Sequence, residues 1–152
     1  MSIQDLIAAE KAKLEQIEPA EQPVVIGGER VVVVVTRVSQ DTWANLTATH
    51  PPRPGSTDVP IGYNENTLPK DYPVTHLTVD GEAIDRETWQ EFYGALASVH
   101  RAAIANTIWG QNVYPALKEM KELGEAMAGK PSGSPARKGS RRAAGTGGNP
   151  QR

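Results

Sequence analysis

Residues 31–35 are five consecutive valines, and no other feature of the chain restricts its fold as tightly. A β-strand sends successive side chains to opposite faces, so a run without polar alternates must be covered on both faces or lie against another chain. Left open it would aggregate. Just upstream, Pro23-Val24-Val25-Ile26 is a second β-branched run, and Gly27-Gly28 between the two can take the positive φ angles of a tight turn. The pattern predicts a hairpin over residues 24–36, with Arg30 and Arg37 flanking it as charged gatekeepers.

The remaining elements follow from caps and periodicity. Residues 2–17 read as a helix, with Ser2 and Asp5 spaced as a capping box and Ile3, Leu6, Ile7, Leu14 and Ile17 on one face. That stripe is thin, which suits a surface helix or one that waits for a partner. Ser39 can cap a helix over 39–48 that His50-Pro51-Pro52-Arg53 ends. Prolines at 51, 52, 54, 60, 69 and 73 then give a long irregular loop. Residues 74–84 suggest a second hairpin turning at Asp80-Gly81. Asp85 opens a helix over 86–97 with Trp89, Phe92, Tyr93 and Leu96 on one face. Residues 99–128 read as two more helices, the first turning Val99, Ala103, Ile104 and Ile108 inward and the second starting at Pro115. The expected fold class is α+β: a small antiparallel sheet of two hairpins packed against a helical C-terminal half, with Trp43, Trp89, Phe92 and Trp109 in the core. Leu117, Met120, Leu123 and Met127 form the apolar stripe of the last helix, a pattern that more often marks core than a docking surface.

Charge divides the chain unevenly. The net charge is −2, but residues 129–152 hold six Lys and Arg with no Asp or Glu, which leaves ten against eighteen, or −8, in the rest. An acidic body does not suit a nucleic-acid surface, because phosphate contacts need clustered cations. The last 24 residues also carry six Gly, three Pro and three Ser and no large apolar side chain, a composition that cannot offset its ordering entropy. The expected organisation is an N-terminal helix and linker over 1–22, an α+β domain over 23–128 and a disordered basic tail over 129–152. The chain has no cysteine, which suits a reducing cytoplasm. Neither a membrane span nor a signal peptide is expected.

Chemistry-bearing patterns are sparse. His50, His76 and His100 fall on different elements without a ligand at helical spacing, so no metal or cofactor is expected, and no nucleophile motif is present. Gly145-Thr146-Gly147-Gly148 lacks the Lys-Ser/Thr ending of a phosphate loop. The expectation is a protein that is not an enzyme. If one surface recognises a partner, the proline-stiffened loop around Pro51, Pro52, Arg53, Asp58, Tyr63 and Asn64 is the candidate, since loops on a rigid scaffold often carry binding.

A set of motifs adds a resemblance. Trp43-x-x-Leu46, His50-Pro51-Pro52-Arg53, Asp58, Gly62-Tyr63-Asn64, Leu68-Pro69-x-Asp71-Tyr72-Pro73-Val74, Val79-Asp80-Gly81, Trp89 and Trp109-x-x-Asn112 occur in an order that resembles tail assembly chaperones of long-tailed phages infecting actinobacteria. The likeness covers residues 31–115. It implies a protein of the host cell cytoplasm that binds the phage tape measure protein, brings tail tube protein to it and is absent from the mature virion. It also implies a longer form made by ribosomal frameshifting near the end of the frame. Membrane and nucleic acid are not expected as partners, and a homo-oligomer is left open. Two rival readings are a structural tail or head-tail joining component and a nucleic-acid-associated accessory protein acting through the basic tail.

Overall fold

A computed structural model of the chain describes residues 1–78 and 81–128. The expected tail over 129–152 and the turn residues Val79 and Asp80 lie outside the described residues. The fold is α+β, and the chain divides into two units at the bond between Pro115 and Ala116.

In the first unit, α1 (Ile3–Glu15) begins with the expected capping box: the Ser2 side chain accepts from the Asp5 N–H at 3.1 Å and the Asp5 carboxylate accepts from the Ser2 N–H at 3.0 Å. The helix buries none of its residues, and Ile3, Leu6 and Ile7 are exposed. Strand β1 (Ala20–Ile26) starts inside the region expected to be linker and pairs antiparallel with β2 (Glu29–Val35). The turn between them is two residues long, and Gly27 and Gly28 have φ of 57° and 80°. Positive φ at both central positions matches the twist of the flanking strands, and a side chain there would be strained.

The register explains the valines. A two-residue turn closes on a hydrogen-bonded pair, here Ile26 and Glu29, and alternation then makes Val24 with Val31, Gln22 with Val33 and Ala20 with Val35 the bonded pairs. Val24, Val31, Val33 and Val35 point to the core and are buried; Val32 and Val34 point away and are half-buried. The free edge of β2 is taken by the segment around Leu77, where the Val34 N–H donates to the His76 carbonyl and the Thr78 N–H to the Val32 carbonyl. The second hairpin is therefore much reduced: residues 76 and 77 lie along β2, and a single bridge joins His76 to Ala83. On the other edge, Pro23 sits at a non-bonded position, so its missing N–H faces outward, and its carbonyl accepts from the Gln22 side chain at 2.9 Å.

Helix α6 (Ser98–Asn112) covers the core face of the sheet with Ile104 and Ile108, both fully buried. Val99, expected inward, is exposed one turn earlier. Helices α2 (Gln40–Thr49), α3 (Asp58–Ile61), α4 (Leu68–Asp71) and α5 (Arg86–Ala95) complete the unit, and α3 and α4 give short helical turns to a segment expected to be irregular. Asp85 caps α5 by accepting from the Thr88 N–H at 2.8 Å. Trp89 is the largest buried side chain, and its indole N–H donates to the Pro69 carbonyl at 2.9 Å. Trp43, Phe92 and Trp109 are only partly buried around it, whereas Tyr63, Tyr72 and Tyr93 are buried with it. Burial pushes the Tyr72 phenol up to about 12, which keeps it protonated. Its hydroxyl donates to the Thr36 carbonyl at 2.6 Å and accepts from the Asn112 amide at 2.7 Å, while the Asn112 side-chain oxygen accepts from the Val38 N–H at 3.1 Å.

The second unit begins within α7 (Tyr114–Ala128), where Lys118 and Glu122 stand 4.0 Å apart at i,i+4 spacing. Leu117, Met120, Leu123 and Met127 are exposed. The pattern expected to mark core is thus an open apolar stripe.

Replacing Trp89 by Ala removes the centre of the core and the partner of a buried carbonyl. The expected loss is about 3–5 kcal/mol in urea unfolding, as for other large-to-small core changes. A loss under about 1 kcal/mol, far below that range, would contradict the assigned burial.

Candidate protein-binding site

The loop after α2 is closed by one buried carboxylate. Asp58 is 0% exposed, and its two oxygens accept from the Arg53 backbone N–H at 3.0 Å, from Arg53 Nε at 2.6 Å and Nη2 at 3.0 Å, and from the Glu65 N–H at 3.3 Å. Ser56 supports the same turn: its hydroxyl donates to the Arg53 carbonyl at 2.7 Å and accepts from the Asp58 N–H at 3.1 Å. The Arg53 side chain, helped by these backbone donors, holds the Asp58 carboxyl well below the usual carboxylate range against the opposing effect of burial. Gly62 ends α3 in the left-handed region, with φ of 87°, and donates to the Asp58 carbonyl at 2.8 Å.

Of the six residues expected to form a recognition edge, Arg53, Asp58, Tyr63 and Asn64 take part in holding the loop together. Asp58 is enclosed and Arg53 is committed to it. Tyr63 is buried, with its ring edge-on to Trp43 at 5.3 Å. Asn64 donates its N–H to the His50 carbonyl at 2.8 Å and takes the Asn66 N–H on its side chain at 2.9 Å, which fastens the loop to the end of α2. Pro51 is exposed and Pro52 half-buried. The loop is internally bonded: Asp58 and Tyr63 are enclosed, while Pro51, Arg53 and Val59 remain exposed.

His50 lies at the next junction. Its Nδ1 is 2.8 Å from the Thr67 hydroxyl and its Nε2 is 2.7 Å from an Asp71 oxygen, while Arg86 and Gln90 donate to the other Asp71 oxygen at 2.8 and 3.1 Å. Hydroxyl, imidazole and carboxylate stand in the order of a nucleophile relay, but such a relay also needs amide donors for a developing oxyanion. The N–H groups of Asn66, Leu68 and Lys70 all donate elsewhere, and residue 69 is a proline. These bonds tie the loop to α5. Sequence spacing could not show it, because its parts are 15 to 21 residues apart.

An open cavity of about 470 Å³ lies along the side of α6 away from Ile104 and Ile108. Ser98, Arg101, Ala102, Ala105 and Trp109 line it from the helix at spacings that repeat every three or four residues. Ile61, Tyr63, Glu65 and Asn66 form the facing wall. Of the six residues expected to form the recognition loop, Tyr63 alone lines this groove. Arg101 is anchored there by bonds to the carbonyls of Leu96 at 2.9 Å and Gly94 at 2.5 Å, and it lies 5.5 Å over the Tyr93 ring. The groove thus has small side chains at its floor, an indole at one end, and a cation and a carboxylate on facing walls. Its periodic wall was present in the sequence, but nothing local showed that residues 61–66 fold beside it.

Among the described residues no three His, Cys, Asp or Glu side chains converge as a metal site, and no helix is long and apolar enough to cross a membrane. Comparison with protein-family models, with curated proteins and with solved structures gives no match.

The Asp58 clamp has a pH signature. A carboxyl held low in the folded state adds stability that is complete above its unfolded value, near 4, and is lost as pH falls through the lower folded value. Thermal melts from neutral pH down to about 2 are expected to show a steep acid decline, starting below that unfolded value, that Asp58→Asn flattens. The variant should already be destabilised at neutral pH, and an unchanged acid slope would remove Asp58 as its source.

Proposed function

We propose that this chain is a tail assembly chaperone that holds a helical segment of the phage tape measure protein. The observation that carries the reading is the groove along α6: small Ala102 and Ala105 let another backbone approach, Trp109 supplies an aromatic anchor, and Arg101 and Glu65 on facing walls can orient a polar partner. In helix-in-groove recognition an amphipathic helix lays its apolar face along a trough, and here apolar Ile61, Ala102, Ala105 and Trp109 share the lining with polar Ser98, Glu65 and Asn106. The resemblance across residues 31–115 names the partner, and it brings the expectation that tail tube protein is recruited and that the finished virion lacks the chain.

Three further observations are compatible. Exposed apolar side chains line α1, with Ile3, Leu6 and Ile7, and separately α7, with Met120, Leu123 and Met127. Protein-binding surfaces commonly take such amphipathic form. The acidic charge of residues 1–128 disfavours a nucleic-acid surface there.

The decisive experiment is co-expression with the tape measure protein of the same phage, followed by affinity capture. Ala102 is exposed on the groove floor, so Ala102→Trp fills the trough without entering the core. It is expected to weaken capture by about tenfold or more, the scale of one interface hot spot, while circular dichroism stays unchanged. Full capture by a folded Ala102→Trp protein would remove the groove as the site. Loss of capture in the unaltered chain would remove the chaperone reading, and detection of the chain in purified virions by mass spectrometry would favour a structural tail component.

The longer form makes a separate prediction at the level of the gene. A slippery heptamer is expected between the codon for Ala128 and the stop, with Gly129-Lys130 as the preferred place, together with an overlapping frame that continues downstream. Reading the nucleotides decides it: with no slippery run and no overlapping frame, the frameshifted product is excluded.

A further inference from the structure

The face of the β1–β2 sheet that points away from the core bears a self-complementary pattern. Three rows of cross-strand pairs lie on it: Glu21 with Val34, Pro23 with Val32, and Val25 with Arg30. The centre is apolar, and Val25 is 50% exposed. An acid stands at one end and a base at the other. Among the described residues neither Glu21 nor Arg30 pairs with another side chain.

We propose that two copies of this chain pair through this face about a two-fold axis. The axis would lie between the two sheets and run across the strands at the level of Pro23 and Val32. Rotation about it reverses the order of the rows, so the Glu21–Val34 row of one copy covers the Val25–Arg30 row of the other. Arg30 then lies over Val34 of the second copy, displaced sideways by one strand spacing of about 4.8 Å from its Glu21, within reach of the two long side chains across the gap. Two reciprocal acid–base pairs form at the ends, around a centre of valine and proline. An isologous interface has this property, in that each residue finds its complement on an identical surface. Aligned sheets pack in this way at about 10 Å separation.

The edges of the sheet favour the face as the place of contact. The segment around Leu77 occupies the outer edge of β2, and Pro23 removes a donor from the middle of the β1 edge, so adding a strand from another chain is blocked on one side and weakened on the other. Size sets the strength. Three strand positions on two strands, an area of about 20 Å by 10 Å, cover roughly 200 Å² per copy from standard strand spacings. A stable complex buries about 800 Å² per partner, so this dimer is weak and forms at high local concentration.

Sedimentation equilibrium of the full chain over a concentration series reaching the millimolar range tests the proposal. A reversible monomer–dimer equilibrium is expected, and Val25→Asp should abolish it with an unchanged circular dichroism spectrum. Glu21→Arg alone and Arg30→Glu alone each place like charges together twice, and each is expected to weaken pairing by about tenfold. An equimolar mixture of these two variants restores both acid–base pairs, so mixed dimers should form with the strength of the unaltered chain. A chain that stays monomeric throughout, or a mixture that pairs no better than its components, overturns the proposal. Neither outcome bears on the α6 groove, which lies on other residues.

Discussion

The Tyr72 hydroxyl and the Asn112 amide form the junction on which the first unit depends. Three segments that are remote in sequence end there: the chain leaving β2 at Thr36 and Val38, the end of α4 at Tyr72, and the last turn of α6 at Asn112. Each polar group at this junction has a partner, which matters because a buried donor or acceptor left alone costs about 1–3 kcal/mol. The phenol supplies apolar bulk to the core and a hydroxyl at its rim. The carboxamide both donates and accepts, so it can join a backbone N–H to a hydroxyl. With α6 fixed at this end, Ile104 and Ile108 are held against the valines, and the opposite side of the same helix becomes one wall of the groove.

Much of the fold was legible in the sequence wherever structure is set by near neighbours. The Ser2–Asp5 box, the Asp85 cap and the Gly27-Gly28 turn each rest on residues at most three apart, and each formed as expected. The valine run was legible as a strand that needs cover. Its cover is unequal: one face is core, one edge is taken by the segment around Leu77, and the second face is only half-buried. Of the second hairpin, the His76–Ala83 bridge and the bond from the Ile84 N–H to the Thr75 carbonyl are present, while residues 76–78 also bond to β2.

The candidate site was far less legible. Prolines and charged residues in a loop look the same whether they point to solvent or close on themselves. Asp58 reads as a surface acid until Arg53 and two backbone donors are found around it. Tyr63 reads as an exposed aromatic until the loop turns it against Trp43. The aromatic core was likewise placed partly in the wrong residues, because tryptophan has the larger apolar area, whereas tyrosines with a hydrogen-bonded hydroxyl can sit deeper than an indole left at a groove rim.

Pro23 has a consequence for how such a chain behaves when it is abundant. An edge strand with valines along it is a template on which identical strands can stack without limit, and growth of that kind does not reverse when the chain is diluted. Growth of this kind requires an unbroken ladder of N–H groups, and the proline interrupts the ladder at the centre of β1. The apolar surface left on this hairpin is a face, and face-to-face contacts of the kind proposed above close after one neighbour has been added. An edge interrupted in this way favours contacts that reverse on dilution over growth that does not.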